Sequence, residues 1–255
     1  MQSESLSTSD RLAQLADEIR LLEGRRTPAD DERVSTGCQA LDALLPEGGL
    51  RRGALVEWLA ARAGSGAATW ALAAAAQAAR AGGAVFVVDR RRSFYAPAAV
   101  AGGVAWESLI VVRPRSRREE EWALDQILRS RGVAAVVAWP ERLGDRTFRR
   151  LQLAAASGGA VGLLIRGAAA RREPSWAEAR LWVEPLADPA PQSQSTGPAT
   201  SAAPTRRFRL TLLRARGGEG RTIEVALDEE RGTFHAQQAN AVRLAAGLAA
   251  GAAGR

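Results

Sequence analysis

From Val34 to Glu184 the chain alternates short apolar runs with longer segments of helical period, and this alternation limits the fold more than any other feature. The runs Leu55–Leu59, Val85–Asp89, Leu109–Val112, Val133–Trp139, Val161–Arg166 and Arg180–Glu184 are apolar on both faces and rich in β-branched residues, as buried parallel strands are. Segments 67–81, 117–131 and 143–156, which lie between them, read as helices. Strand and helix taking turns predicts an α/β fold: a wound, mostly parallel sheet flanked by helices. Further on, Phe208, Leu210 and Leu212 alternate with polar residues, Gly217–Gly220 supplies a turn, and Ile223, Val225 and Leu227 alternate again. That pattern predicts a C-terminal β-hairpin with one buried face.

The remaining segments set the expected boundaries. Residues 7–24 read as an amphipathic helix with Leu12, Leu15, Ala16, Ile19 and Leu22 on one face, so 1–33 is expected to be an N-terminal helix and connection. An apolar stripe of this kind must pack on its own domain or on a neighbouring subunit, which makes a homo-oligomer joined through this helix one expectation. The core is expected over 34–187. The Pro/Ser/Ala/Thr-rich tract 188–205 reads as a flexible linker or loop spanning on the order of 25 Å. Residues 206–236 would complete the core as the hairpin, and the Ala/Gly-rich tail 237–255 would fray.

Composition excludes several chemistries. Cys38 is the only cysteine and His235 the only histidine, so an intrachain disulfide, a zinc cluster and a histidine-rich metal centre are all excluded. All 35 basic residues are arginines, so no lysine is available for catalysis. The net charge of +7 and the pI of about 11.1 suit an acidic partner such as nucleic acid. Ala71–Ala81 is too short and too weakly apolar to cross a bilayer, and the N-terminal residues lack the layout of a secretory signal. A cytoplasmic protein without membrane contact is expected, associated with the nucleoid when engaged.

A strand, a glycine-rich turn and a helix follow one another at Leu55–Leu59, Ala60–Gly66 and Ala67–Ala81, the context of a Walker A phosphate loop. A working loop reads G-x-x-x-x-G-K-[ST]: backbone amides cradle the phosphates, lysine neutralises them and the hydroxyl holds magnesium. Here Gly64 and Gly66 remain, Ala67 takes the lysine position and Ala68 the hydroxyl position. Thr69 lies one residue too far along and is expected to point elsewhere. An ammonium about 4 Å from a phosphate charge contributes roughly 4 kcal/mol at an effective dielectric near 20, and the nearby Arg62 is a bulkier substitute. The reading is of a chain with no catalytic residue, no bound cofactor and no metal, in which residual nucleotide binding is left to the glycine amides and the helix N-terminus.

The run Val34-Ser-Thr-Gly37, Leu41-Asp42, Gly48-Gly49-Leu50, Gly53 and Val56-Glu57 resembles the RecA superfamily, where such a segment leads into the ATP-binding strand and loop. The resemblance implies three further mismatches. Arg91 stands where the family's water-activating glutamate is expected, Trp139 where the Walker B aspartate is expected, and Arg166-Gly167 where a nucleotide-sensing Asn-Gln pair is expected. Within the superfamily the chain is most similar to the ImuA family. The residues that carry this likeness are Val112-Arg113-Pro114, Val137-Ala138-Trp139-Pro140, Arg149 to Ala155, Gly162 to Arg166, and the hairpin around Arg209–Arg216. The likeness covers roughly residues 34–235. It implies a role in DNA-damage-inducible translesion synthesis, beside an ImuB-like relative of Y-family polymerases and an error-prone DNA polymerase.

Two arginine clusters are candidate contacts for DNA or for a partner. Arg113, Arg115, Arg117 and Arg118 follow a strand at the edge where wound sheets gather their ligands, although Glu119, Glu120 and Glu121 offset them. Arg90, Arg91 and Arg92 are expected to invert the charge of the former ATP site. Arg206, Arg207, Arg209, Arg214, Arg216 and Arg221 of the hairpin are expected to share one solvent-facing surface. Trp58, Trp139 and Trp182 are expected in the core, whereas Trp122, just past the arginine loop, is the candidate for base stacking. These readings converge on a non-catalytic RecA-like accessory of a mutagenesis complex, with RecA itself and DNA as further contacts. Two rivals stay open: a divergent DNA-stimulated ATPase using Arg62 and Thr69, and a stand-alone DNA-binding protein.

Overall fold

A computed structural model of the chain describes residues 32–187, 205–215, 220–228 and 233–236. The expected N-terminal helix, the linker up to residue 204, most of the Gly217–Gly220 turn and the tail 237–255 lie outside the described residues. The elements in chain order are β1 (Arg33–Val34), α1 (Gln39–Asp42), β2 (Leu50–Arg51), β3 (Leu55–Ala60), α2 (Ala67–Ala79), β4 (Ala84–Val88), α3 (Ala96–Ala101), β5 (Leu109–Val112), α4 (Arg117–Arg129), β6 (Val133–Ala138), α5 (Asp145–Gly158), β7 (Val161–Gly167), β8 (Ala179–Leu186), β9 (Thr205–Ala215), β10 (Arg221–Asp228) and β11 (Thr233–Ala236). Short 3-10 turns lie at Pro46–Gly48, Trp106–Ser108 and Ala168–Arg172.

Nine strands form one sheet in the order β11-β10-β9-β8-β3-β7-β6-β4-β5. The six strands from β8 to β5 pair in parallel. Beyond β8 the direction reverses, and β9, β10 and β11 extend the sheet with antiparallel pairs. The α/β wound sheet is as expected, and the hairpin is joined by a third strand, β11, that the sequence reading missed. The small pair of β1 with β2 stands apart. The short helix α3 is also unanticipated, because its six residues carry too little periodicity to be seen in the sequence.

Each face of the sheet buries its own core. One core joins Val56 and Trp58 of β3, Leu163 of β7 and the inward residues Phe208, Leu210 and Leu212 of β9 to α2, to Leu41 of α1 and to Leu44 and Leu45 after it. α2 is apolar nearly all round, with nine of its thirteen residues buried, as a helix sunk into a core must be. The other core lies under α4 and α5, where Leu124, Leu128, Phe148 and Leu151 pack on Leu55, Val136 and Leu164. α4 starts on a side-chain cap: the Ser116 hydroxyl accepts from the Glu119 amide at 3.2 Å, and Glu119 reaches back to the Arg115 amide at 2.8 Å. At the far end of α5 a Cβ on Gly158 would lie 2.1 Å from the Leu128 carbonyl oxygen, so the two helices close on each other only because that residue is glycine.

Candidate functional site

The carboxyl ends of β3, β6 and β7 converge on a cleft of about 690 Å³, bordered by residues 60–69, Arg91, Trp139–Glu141, Ile165–Ala168 and Arg206. It sits where ligand sites of wound sheets lie. Its floor is the turn Ala60–Gly66 and the first turn of α2, whose leading amides have no partner within the helix. Gly64 and Gly66 both adopt positive φ, +73° and +89°, as a tight phosphate-type loop requires. Ala67 and Ala68 open the helix. Thr69 borders the cleft as well.

Gly66 also touches the antiparallel extension. A Cβ there would lie 2.2 Å from Cε1 of Phe208, whose fully buried ring meets Trp70 edge-on at 5.9 Å. Arg206, two residues before it on β9, therefore reaches the cleft from the side of the sheet that carries Phe208, and its guanidinium lies 5.4 Å from that ring. Sequence reasoning missed this approach because β9 lies far along the chain from the loop. It also missed Ser65, whose hydroxyl lies in the loop, is buried and makes no hydrogen bond.

The arginines after β4 do not simply reverse the charge of the cleft. Arg91 borders it, but its guanidinium is held by Glu141 at 2.8 Å, which also accepts from Arg90 at 3.0 Å. Arg90 turns further, to the buried Glu120 of α4, at 3.1 Å. Arg92 is exposed in a left-handed conformation, φ 55°. Glu141, which the sequence reading did not single out, thus neutralises part of the expected positive charge. The bonds from Arg91 and Arg90 hold the Glu141 carboxyl below its ordinary range, while burial raises that of Glu120 against the opposing pull of Arg90. The Asp89 carboxylate caps the turn after β4 by accepting from the amides of Ser93 and Phe94, each at 3.1 Å.

Arg166, near the end of β7, borders the cleft, but its guanidinium is committed to carboxylates. Its guanidinium bonds to Glu57 on the neighbouring β3 at 2.7 Å and to Glu173. Glu57 also accepts from Arg180 of β8 at 2.6 Å and from the Ser175 hydroxyl at 2.7 Å. This buried network, drawn from four stretches of chain, fixes the segment between β7 and β8; its members are too far apart in sequence to be read as a group.

The second arginine cluster lies at the start of α4. Arg113 is 3.9 Å from Asp89, Arg117 pairs with Glu121 at 2.9 Å, and Arg115 and Arg118 are exposed. Trp122 is 64% exposed, as base stacking would require. Of the tryptophans expected in the core, Trp58 is fully buried, but Trp139 and Trp182 are only half-buried: Trp139 borders the cleft, and Trp182 faces away from the main core beneath Arg171. The hairpin arginines do not share one surface. Arg206 is at the cleft, Arg207 and Arg209 pair with Glu224 on the opposite face, and Arg221 bonds to the carbonyls of Leu44 and Ala43. Among the described residues no group of His, Cys, Asp and Glu is placed to hold a metal, and no helix is long and apolar enough to cross a membrane.

Comparison with known proteins agrees with this geometry. The RecA N-terminal domain family matches residues 14–139. RecA of Streptomyces venezuelae is 36% identical over 114 residues, covering 45% of this chain but 30% of that protein. RecA of Deinococcus radiodurans is 33% identical over a stretch of the same length, 31% of its own chain. ImuA of Caulobacter vibrioides is 33% identical over 217 residues, which cover 76% of this chain and 82% of that protein. A likeness that runs through both cores and most of the relative's length places this chain in the ImuA family of RecA-like proteins.

Proposed function

We propose that the chain is a non-catalytic accessory of a DNA-damage-inducible translesion synthesis complex, acting through protein contacts and contacts with DNA. The observation that carries this reading is the set of side chains at the cleft. Alanines open α2 where lysine and a hydroxyl would engage phosphate and magnesium, Trp139 follows β6 directly, and the one carboxylate among the described residues at the mouth, Glu141, is taken up by two arginines. No lysine exists anywhere in the chain to replace the missing cation. Such a cleft has no means to activate water or to hold a magnesium ion between phosphates, so the fold serves as a rigid surface.

A second feature favours a protein partner. Among the described residues β5 is an edge strand; Ile110 on it and Trp106 just before it are 42% and 64% exposed, and Tyr95 and Val100 at α3, earlier in the chain, are 69% and 40% exposed. Exposed apolar side chains and an unpaired strand edge are what a protein interface buries. The partners proposed are an ImuB-like Y-family polymerase relative and an error-prone DNA polymerase, with RecA as a further contact, in the cytoplasm and at the nucleoid. The arginine clusters 90–92 and 113–118, with Trp122, are the proposed contacts for DNA or these proteins. The proposed organisation keeps residues 34–187 and 206–236 as one core, with 1–33, 188–205 and 237–255 as appended segments. Light scattering after gel filtration of the chain mixed with an ImuB-like protein tests the reading. It expects a stable heterocomplex; two separate species contradict it.

A further inference from the structure

We infer that the outer face shared by α4 and α5 is a docking surface for an acidic segment of a protein partner, with Trp122 and Leu153 as its apolar anchors and Arg118 and Arg146 as its free cations. The inference rests on the accessory reading for the presence of a protein partner, and goes beyond it by naming the face and the chemistry that face recognises.

The two helices lie side by side. The Thr147 hydroxyl of α5 donates to Glu121 of α4 at 3.3 Å, Arg150 lies 3.5 Å from Asp125, and Gly158 meets the Leu128 carbonyl at the far end. Their inner sides are fixed by the core, where Leu124 and Leu128 of α4 and Phe148 and Leu151 of α5 are buried. Helical period then turns Arg118, Trp122 and Arg129 outward on α4, and Arg146, Arg150 and Leu153 outward on α5. Trp122 is 64% exposed and Leu153 50%, so two large apolar side chains stand in water on one charged face.

The charge of that face is one-sided. Arg117, Arg118, Arg129, Arg146 and Arg150 stand against Glu121 and Asp125, the carboxylates along the seam between the helices. Both carboxylates are already taken, Glu121 by Arg117 at 2.9 Å and Asp125 by Arg129 at 3.2 Å as well as by Arg150. The other carboxylates of the two helices serve elsewhere. Glu119 accepts from the Arg115 amide, Asp145 from the Trp176 indole, and Glu120 is buried against Arg90. Among the described residues Arg118 and Arg146 have no carboxylate partner. Exposed guanidinia of this kind steer an acidic ligand to the face, and tryptophan with arginine is the pairing that carries binding energy at interface centres.

The same features select protein over nucleic acid. Glu121 and Asp125 lie between the two rows of arginines, where they would repel a phosphate backbone following the groove, and Leu153 has no π-face on which a base could stack. A segment that intersperses acidic with apolar side chains meets both demands: its carboxylates reach the arginines while its apolar side chains cover Trp122 and Leu153.

The test uses the full chain alone. A fluorescein-labelled helical peptide of glutamate with leucine at every third or fourth position is titrated by anisotropy, beside a peptide with lysine for glutamate and a labelled oligothymidylate. The parent is expected to bind the acidic peptide, more weakly as salt rises, and not the basic one. Trp122→Ala and Leu153→Ser each weaken binding by about tenfold while the melting temperature stays near the parent's. The double variant Arg118→Glu/Arg146→Glu lowers the affinity and flattens its salt dependence, whereas Arg118→Lys/Arg146→Lys retains most of it. Three results overturn the inference: no binding of the acidic peptide by the parent, unchanged affinity in folded Trp122→Ala or in the folded charge-reversed variant, or tighter binding of oligothymidylate that depends on these same residues. Each leaves the accessory reading standing, because that reading is tested by complex formation.

Discussion

Phe208 of β9 packs directly against Gly66 of the phosphate-type loop, so closely that a side chain at position 66 would collide with its ring. The shape of the loop is therefore set in part by β9, a strand far along the chain from it. Two substitutions test this coupling. Gly66→Ala introduces both the clash and a strained positive φ, and Phe208→Ala leaves a cavity beside Trp70. Each is expected to lower stability, Phe208→Ala by about 3–5 kcal/mol in urea unfolding. If Phe208→Ala leaves stability unchanged, the antiparallel strands do not form part of the core.

Glu57 is fully buried and bonds to two arginines from neighbouring strands. Removing the carboxylate leaves Arg166 and Arg180 as buried cations with a lost partner. Glu57→Ala is expected to cost about 3–5 kcal/mol in chemical denaturation. A small loss would mean that water reaches this network and that the segment Ala168–Trp176 is not fixed by it.

The two carboxylates that share Arg90 should titrate in opposite senses. Glu141 is held below its ordinary value by Arg91 and Arg90, and Glu120 is raised by burial. For Glu141 the folded value is depressed, so its contribution to stability is present above the unfolded value and is lost as pH falls through the folded value. For Glu120 the sign is opposite: the folded state holds its proton longer, and stability declines as pH rises from the unfolded value to the folded one. Carboxyl carbon NMR should show Glu141 titrating first from the acid side and Glu120 after it. The reverse order would mean that Arg90 prefers Glu120 strongly enough to overcome its desolvation.

The two exposed rings Tyr95 and Trp106 offer a direct test of the partner surface. Replacing both with serine should change stability by no more than about 0.5 kcal/mol, since neither is buried. The same double variant should lose the heterocomplex in gel filtration. Retained complex formation would place the partner elsewhere.

The parallel half of the fold was legible in the sequence because buried strands announce themselves locally: Leu55, Val85, Val133 and Val161 each begin or lie within an apolar run of strand length. Ala67, Ala68 and Trp139, singled out from local sequence, all border the cleft. The missing parts depend on contacts between distant stretches. Glu57 with Arg166 and Arg180, Glu141 with Arg90 and Arg91, and Phe208 with Gly66 are each joined only by the folded sheet, and no period or motif in the sequence pairs them. The hairpin arginines show the same limit. Alternation placed Arg207 and Arg209 on one face correctly, but Arg206 falls on the other face and Arg221 turns to the carbonyls of Ala43 and Leu44.

The central claim is that the cleft at β3 and α2 has no turnover. The most direct measurement is ATP binding by calorimetry together with phosphate release, on the purified chain with and without single-stranded DNA and an ImuB-like partner. The account predicts no hydrolysis under any of these conditions while the partner complex remains intact. DNA-stimulated phosphate release that disappears in Arg62→Ala would contradict it, and would identify the cleft as the site of a divergent ATPase.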